Sequence, residues 1–306
     1  MRRKFVHNHL IMTSLLADAH AHLDEPQLRD QKEAVLRRAR EAGVRLIVNV
    51  GIGQENSRRV VETAERYPEV FATVGVHPHG VAALTPKDLE ALTHLASHPK
   101  VVAVGEIGLD FYRRRSPEKV QEHWFREQLA WAHELGKIVV IHTRDATSAT
   151  LKVLREDRRH LRGGVMHCFL GNLDEARAFL DLGFYLSFSG VLTFPKAEPL
   201  RQMVRQLPQD RILVETDSPY LAPQPWRGKV NEPAYLTATL ERLAQSHGLS
   251  PEETARLTWR NTLAAYGLDG KGLNAERTGE SESSGADLSP ASKTNHDSDQ
   301  PKPGRD

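Results

Sequence analysis

A single cysteine, Cys168, occurs among 306 residues, so no intrachain disulfide can form, and a lone thiol fits a reducing compartment. No uninterrupted apolar run approaches the ~18 residues that cross a bilayer, and the chain is read as soluble and cytoplasmic, without a membrane partner. The opening stretch MRRKFVHNHLIMTS carries positive charge but lacks the apolar centre and small-residue cleavage site of a signal peptide. Secretion is therefore not expected, and Met12 is an alternative start. Neither sign of charge dominates: Lys plus Arg minus Asp plus Glu is 41 − 40 = +1. Whole-molecule attraction to a polyanion is excluded, and any nucleic-acid contact has to be local.

What is present is a series of short β-type stretches, each finishing in a side chain able to bind a divalent cation. LLADAHAHL brings His20 and His22, VVAVGEIGLD brings Glu106, KIVVIHTRD brings His142, GGVMHCF brings His167 and RILVETDSPY brings Asp217. With 39% hydrophobic residues the chain can build a sizeable core. Its length admits either two domains of ~150 residues or one (β/α)8 barrel of roughly 250.

The pattern favours the barrel. Strands are expected near 15–19, 45–51, 70–76, 101–106, 137–142, 164–168, 184–188 and 211–216, and helices near 28–42, 55–67, 86–97, 117–135, 145–157, 173–182, 197–206 and 233–247. Gly43, Gly136 and Gly183 follow helices as left-handed caps should, while Pro86, Pro117 and Pro251 suit first helical turns. Strict alternation implies a parallel sheet, and eight units imply closure into a single-domain TIM barrel; an open doubly wound sheet is the alternative. An extra C-terminal helix, 251–266, is expected on the barrel exterior through Leu257, Trp259 and Tyr266. The barrel domain spans 15–268, with a poorly ordered extension at 1–14 and a polar tail at 269–306. From Gly270 onward there is no aromatic, Val or Ile, too little apolar area to offset ordering entropy, so disorder is expected there.

Side chains alternate along a strand, so His20 and His22 point to one side and can share a cation. Glu106 ends the fourth strand, where a carboxylate with two oxygens can bridge two cations. His142 and His167 could hold the second, and Asp217 completes the first. Imidazole and carboxylate together suit Zn²⁺, Mn²⁺ or Mg²⁺, and this many histidines argues against Mg²⁺ alone. Two divalent cations ~3.5–4 Å apart could stabilise a phosphoryl displacement and lower the pKa of bound water toward ~7. Asp217 and Glu106 are the catalytic candidates, Asp217 as general base.

The blocks DAHAHLD, GVHPH, GEIGLDFY, IHTRDA, HCFLG and ETDSPYLAP…RGKVNEP, in this order, resemble the signature of the TatD family of metal-dependent deoxyribonucleases over roughly residues 16–268. The resemblance implies an amidohydrolase-type TIM barrel, with His20, His22, Glu106, His142, His167 and Asp217 as metal ligands. It further implies phosphodiester hydrolysis, a 3′-to-5′ exonuclease of DNA in repair or degradation, acting as a monomer on single strands or accessible 3′ ends. Some members are also similar to enzymes that deacylate misacylated transfer RNA, which leaves the scissile bond less defined than the site. The terminal segments fall outside the family's usual extent.

Several further residues are candidate substrate contacts: His77 and His79 on the same rim, Arg144 as a planar grip for phosphate, and the loop of Asp110, Tyr112 and Arg113, where an aromatic can stack on a base. Trp226 and Asn231 are weaker candidates of the same kind. Asp145 is expected to cap the following helix, and Cys168 to be a buried, inert thiol. The enzymatic rival is hydrolysis of a small ester, lactone or amide, whose binuclear enzymes often bridge their metals with a carbamylated lysine. The fourth strand contains no lysine after Lys100. A nucleic-acid-binding or scaffold protein without chemistry is the third reading, which the complete ligand set opposes.

Overall fold

The computed structural model describes residues 15–271 and 273. Expectations for 1–14, 272 and 274–306 lie outside the described residues. Eight strands lie in sequence order in one parallel sheet: β1 Leu16–Ala21, β2 Val44–Val50, β3 Val70–Val74, β4 Val101–Asp110, β5 Ile138–Arg144, β6 Gly164–Met166, β7 Phe184–Phe188 and β8 Ile212–Val214. A parallel bridge from Ala21 to Ser218 joins the last strand's end to the first and closes the (β/α)8 barrel. Strand β4 runs on to Asp110, beyond the expected end, whereas β6 and β8 stop at Met166 and Val214. His167 and Asp217 consequently stand on loops just past their strands.

The helices are α1 Pro26–Arg29, α2 Lys32–Glu41, α3 Gln54–Arg66, α4 Pro86–Ala96, α5 Glu118–Glu134, α6 Thr147–Glu156, α7 Leu173–Asp181, α8 Glu198–Val204, α9 Leu236–His247 and α10 Pro251–Tyr266. The single helix expected over 28–42 is broken into α1 and α2. Local chemistry starts several of them: Thr85 with Asp88, Asn172 with Glu175 and Ser250 with Glu253 form reciprocal capping boxes, each satisfying backbone N–H groups that a helix start leaves free. Pro117 is the cap of α5 rather than its first helical residue. Asp145 does not cap α6; Ala146 occupies that position and Asp145 takes a left-handed φ of 51°.

Two apolar layers form. The outer one packs strand residues such as Ile47, Val104, Ile141 and Leu186 against helix residues such as Leu36, Val60, Phe125 and Phe179. The inner one lines the barrel with Ala17, Ala19, Leu46, Val48, Val50, Ala103, Val140, Val165 and Leu213, together with Trp259, Ala265 and Tyr266 of α10. This corrects the exterior placement expected for α10. Tyr266 donates its hydroxyl to the Ala19 carbonyl (2.8 Å), and Asn261 donates to the carbonyls of Gln209 and Ile212 (both 2.8 Å). The helix thus covers the N-terminal mouth, because the inner side chains at the strand starts leave apolar area that only a further element can bury. Leu268 and Leu273 pack against the same inner cluster.

Candidate metal centre

The polar residues gather at the other mouth, where the strands end. Two of them sit at breaks in strand register. Pairing of β1 with β2 shifts between Asp18 and Ala21, around His20, and pairing of β4 with β5 shifts between Val104 and Ile107, around Glu106. Such irregularities re-aim side chains. Close approach of β4 to β5 requires Gly108: at its φ of 134° a Cβ would fall 2.1 Å from the His142 carbonyl oxygen. Gly108 is the residue that pairs with His142 across the two strands.

The two oxygens of Glu106 face different partners. Oε2 lies 3.6 Å from Nε2 of both His20 and His22. Oε1 lies 2.8 Å from His142 Nδ1, 3.1 Å from His167 Nε2 and 3.6 Å from His77 Nε2. Asp217 Oδ1 completes the first group, 3.8 Å from His20 Nε2 and 3.4 Å from His22 Nε2. Nε2 atoms of His20 and His22 are 3.1 Å apart. Since His22 donates its Nδ1 hydrogen to the Val50 carbonyl (3.3 Å), its Nε2 is left to present a lone pair. A tetrahedral ion with bonds of 2.0–2.1 Å separates its donors by roughly 3.3–3.4 Å. The separations of 3.1–3.8 Å bracket that value, so the donor set fits a divalent cation.

Among the described residues, donor atoms converge within 4.8 Å in His20 with His22 and Asp217, in His20 with His167 and Glu215, and in His77 with Glu106 and His142. Glu215 was not singled out from the sequence. It is fully buried, its Oε1 takes hydrogen bonds from His167 Nδ1 (3.1 Å) and the Cys168 N–H (2.9 Å), and it holds the His167 ring by the nitrogen turned away from Glu106. Its signal was available: it directly follows the apolar run Ile212–Val214, the same strand-end position that singles out the other candidate ligands.

Electrostatics favour charged carboxylates. Burial works to raise the Glu106 carboxyl, but His167, His77 and His142 outweigh it and hold Glu106 well below the usual carboxylate range. Burial likewise opposes ionisation of Asp217, and His22, His167 and His20 overcome it. His77 and His20 are pushed down, chiefly by burial. His167 rises despite burial because Glu106 and Glu215 flank it. Buried charges of this kind are paired or coordinate metals.

The secondary candidates separate. His77 is turned onto Glu106, nearer the donor set than a pure substrate contact would be. Asp110 is buried in the cavity wall and accepts hydrogen bonds from His79 Nε2 (2.8 Å), His142 Nε2 (3.2 Å) and the Arg113 N–H (2.6 Å), so it orients both imidazoles. Arg144 lies 4.0 Å above the ring of exposed Tyr112, with Arg113 at 5.5 Å. Trp226 stacks on Tyr235 at 4.2 Å, and Asn231 is buried, donating to the carbonyls of Thr216 (2.8 Å) and Tyr220 (2.6 Å); neither lines the cavity. Cys168 does line it, half-buried at a left-handed φ of 44° rather than fully buried as expected. Burial pushes its thiol up to about 12, which keeps it a neutral thiol. The cavity over these groups measures about 950 Å³ and also admits Arg113, Arg115, Leu170, Tyr220 and Leu221 to its wall.

The family model for TatD related DNases matches residues 17–267. The chain belongs to this family. It is 40% identical over 255 residues to an uncharacterized metal-dependent hydrolase, YabD, of Bacillus subtilis, covering 83% of this chain and 100% of that one. It is 36% identical over 254 residues to a protein of Salmonella typhimurium named 3′-5′ ssDNA/RNA exonuclease TatD, covering 81% and 98%. The crystal structure of YJJV, a TatD homolog from Escherichia coli K12, superposes with a TM-score of 0.79 at 30% identity, covering 84% of this chain and 99% of that one. This TatD-family chain is accordingly a metal-dependent hydrolase, and among its described residues no helix is long and apolar enough to cross a membrane.

Proposed function

We propose that this chain hydrolyses phosphodiester bonds of DNA from the 3′ end, using two divalent cations, Mn²⁺, Mg²⁺ or Zn²⁺. The observation that carries the reading is the Glu106 carboxylate, whose two oxygens face separate donor groups. His20, His22, Asp217 and Glu106 Oε2 would hold one cation; Glu106 Oε1, His142 and His167 would hold the other. Bound there, divalent cations lower the pKa of water toward ~7 and neutralise charge on a phosphoryl group.

The remaining work falls to the chain's own side chains. Asp217 is kept ionised by the imidazoles around it and is placed to accept a proton from the attacking water. Glu215 and Asp110 fix the rings of His167 and His142 by their outer nitrogens, as carboxylates behind metal-binding histidines do. Arg144, pinned over Tyr112, offers a fork of donors to a phosphate. The exonuclease name of the Salmonella relative supports nucleic acid as substrate and the 3′ end as the entry point. Glu106 standing between the two donor groups, with no lysine in β4 after Val101, weighs against the carbamylated-lysine hydrolases of small esters.

The test is digestion of single-stranded DNA labelled at either end. Shortening from the 3′ end is expected with Mn²⁺ or Mg²⁺, and complete loss with a chelator. Asp217→Ala is expected to abolish turnover while leaving the circular dichroism spectrum unchanged. Full activity after the metal is stripped would refute the mechanism.

A further inference from the structure

Large apolar side chains that remain exposed are few: Tyr112, Leu170, Tyr220 and Val230 among the described residues. Two of the four, Leu170 and Tyr220, line the cavity above the donor set, and Tyr112 carries its Arg144. Exposed apolar groups gathered around one concave site mark a binding surface. The mouth is two-sided. Arg113 and Arg115 follow β4 and Arg144 ends β5, whereas Tyr220 and Leu221 follow β8, four strands away around the ring and hence across from β4. Leu170 follows β6.

Tyr220 is held rigidly. Its N–H donates to the Asp217 carbonyl (2.8 Å), its own carbonyl accepts from Asn231 (2.6 Å), and its hydroxyl donates to Glu25 Oε2 (3.0 Å). Its ring meets that of His22 edge-on at 6.1 Å between centroids. A flat group laid on this ring therefore lies next to the first donor set. An aromatic ring fixed before its ligand arrives loses little freedom on binding.

We infer that Tyr220 seats the base of the terminal nucleotide of an unpaired strand, leaving the phosphates to the arginine side. This rests on the nuclease reading and narrows it. Stacking on a ring accepts any of the four bases, since each has a π face. It excludes a base still paired in a duplex, whose face is covered by its neighbours. The enzyme would then be tolerant of sequence and demand an unpaired end that carries a base.

The experiment compares two oligonucleotides of equal length, one with a normal 3′-terminal nucleotide and one whose terminal residue is abasic, using full-length protein loaded with Mn²⁺. For wild type, KM is expected to rise on the order of tenfold or more when the terminal base is missing. Tyr220→Ala should raise KM for the normal strand to the abasic level while moving the abasic KM less than about twofold. Tyr220→Phe, which keeps the ring and loses only the Glu25 contact, should restore the preference. Wild-type indifference to the missing base overturns the inference, as does a Tyr220→Ala defect equal on both strands, which would mean damage to the metal centre. If neither strand is cut, the nuclease reading itself fails and this inference falls with it.

Discussion

Arg114, Asp145, Cys168, Asp217 and Leu221, the non-glycine residues with left-handed φ among those described, all lie on loops leaving β4, β5, β6 or β8. At the opposite mouth, Trp259 and Tyr266 of α10 close over small and branched side chains. One end therefore carries backbone strain, buried carboxylates and packed imidazoles, while the other carries ordinary apolar packing. Strained conformations persist only where their surroundings over-determine them. The apolar end supplies that stability, and the polar end is left free to be shaped for a cation.

The comparison holds only if the two ends can be damaged independently. Glu106→Gln is expected to lower kcat/KM by on the order of 10³-fold or more, with the metal-free protein melting lower only by the cost of the His167 and His142 pairings the carboxylate makes. Trp259→Ala should do the reverse, costing about 3–5 kcal/mol in urea unfolding while kcat per folded molecule stays near wild type. A large loss of kcat in folded Trp259→Ala would show that the ends are coupled.

A smaller effect tests the support behind the ligands. Glu215→Gln is expected to weaken metal binding about 10- to 100-fold by calorimetry, because an amide is a poorer partner for His167 Nδ1 than a carboxylate. Unchanged affinity would remove Glu215 from the site. Smallest is the response to pH of the metal-free protein. Burial, with Glu215 adding and the Thr216 hydrogen bonds opposing, pushes Asp18 from 3.8 up to about 7. In that window the folded state keeps a proton that the unfolded chain releases, so this residue's contribution is present below pH 3.8 and fades as pH rises to about 7. The slope is at most about 1.4 kcal/mol per pH unit. Asp18→Asn, which mimics the protonated acid, should gain on wild type between pH 5 and 7; parallel stability curves would show that Asp18 is charged when folded.

Much of the candidate site was legible because a candidate ligand at a strand end needs only a chemical type and a position. His20, His22, Glu106, His142, His167 and Asp217 meet those terms, and the structure brings them to one cavity or directly beneath it. That Asp110 holds two imidazoles was not legible, because an acidic side chain looks the same in a sequence whether it greets substrate or orients a neighbour. Helix α10 was misplaced for a similar reason: amphipathic spacing announces that a face will be buried but not against what. Tyr220 and Leu170 escaped notice because exposure cannot be read from one residue's type.

Alternation of β-type and helical stretches, the glycine stops and the ligand chemistry at the strand ends were set by the linear order of residues, since each depends on neighbours a few positions away. Which oxygen of Glu106 faces which imidazole was decided only by closure of the ring, which sets Thr216 against Asp18 across 198 positions of chain. Contacts of that span depend on strand register and on the bulk packed around it, and no local pattern encodes them.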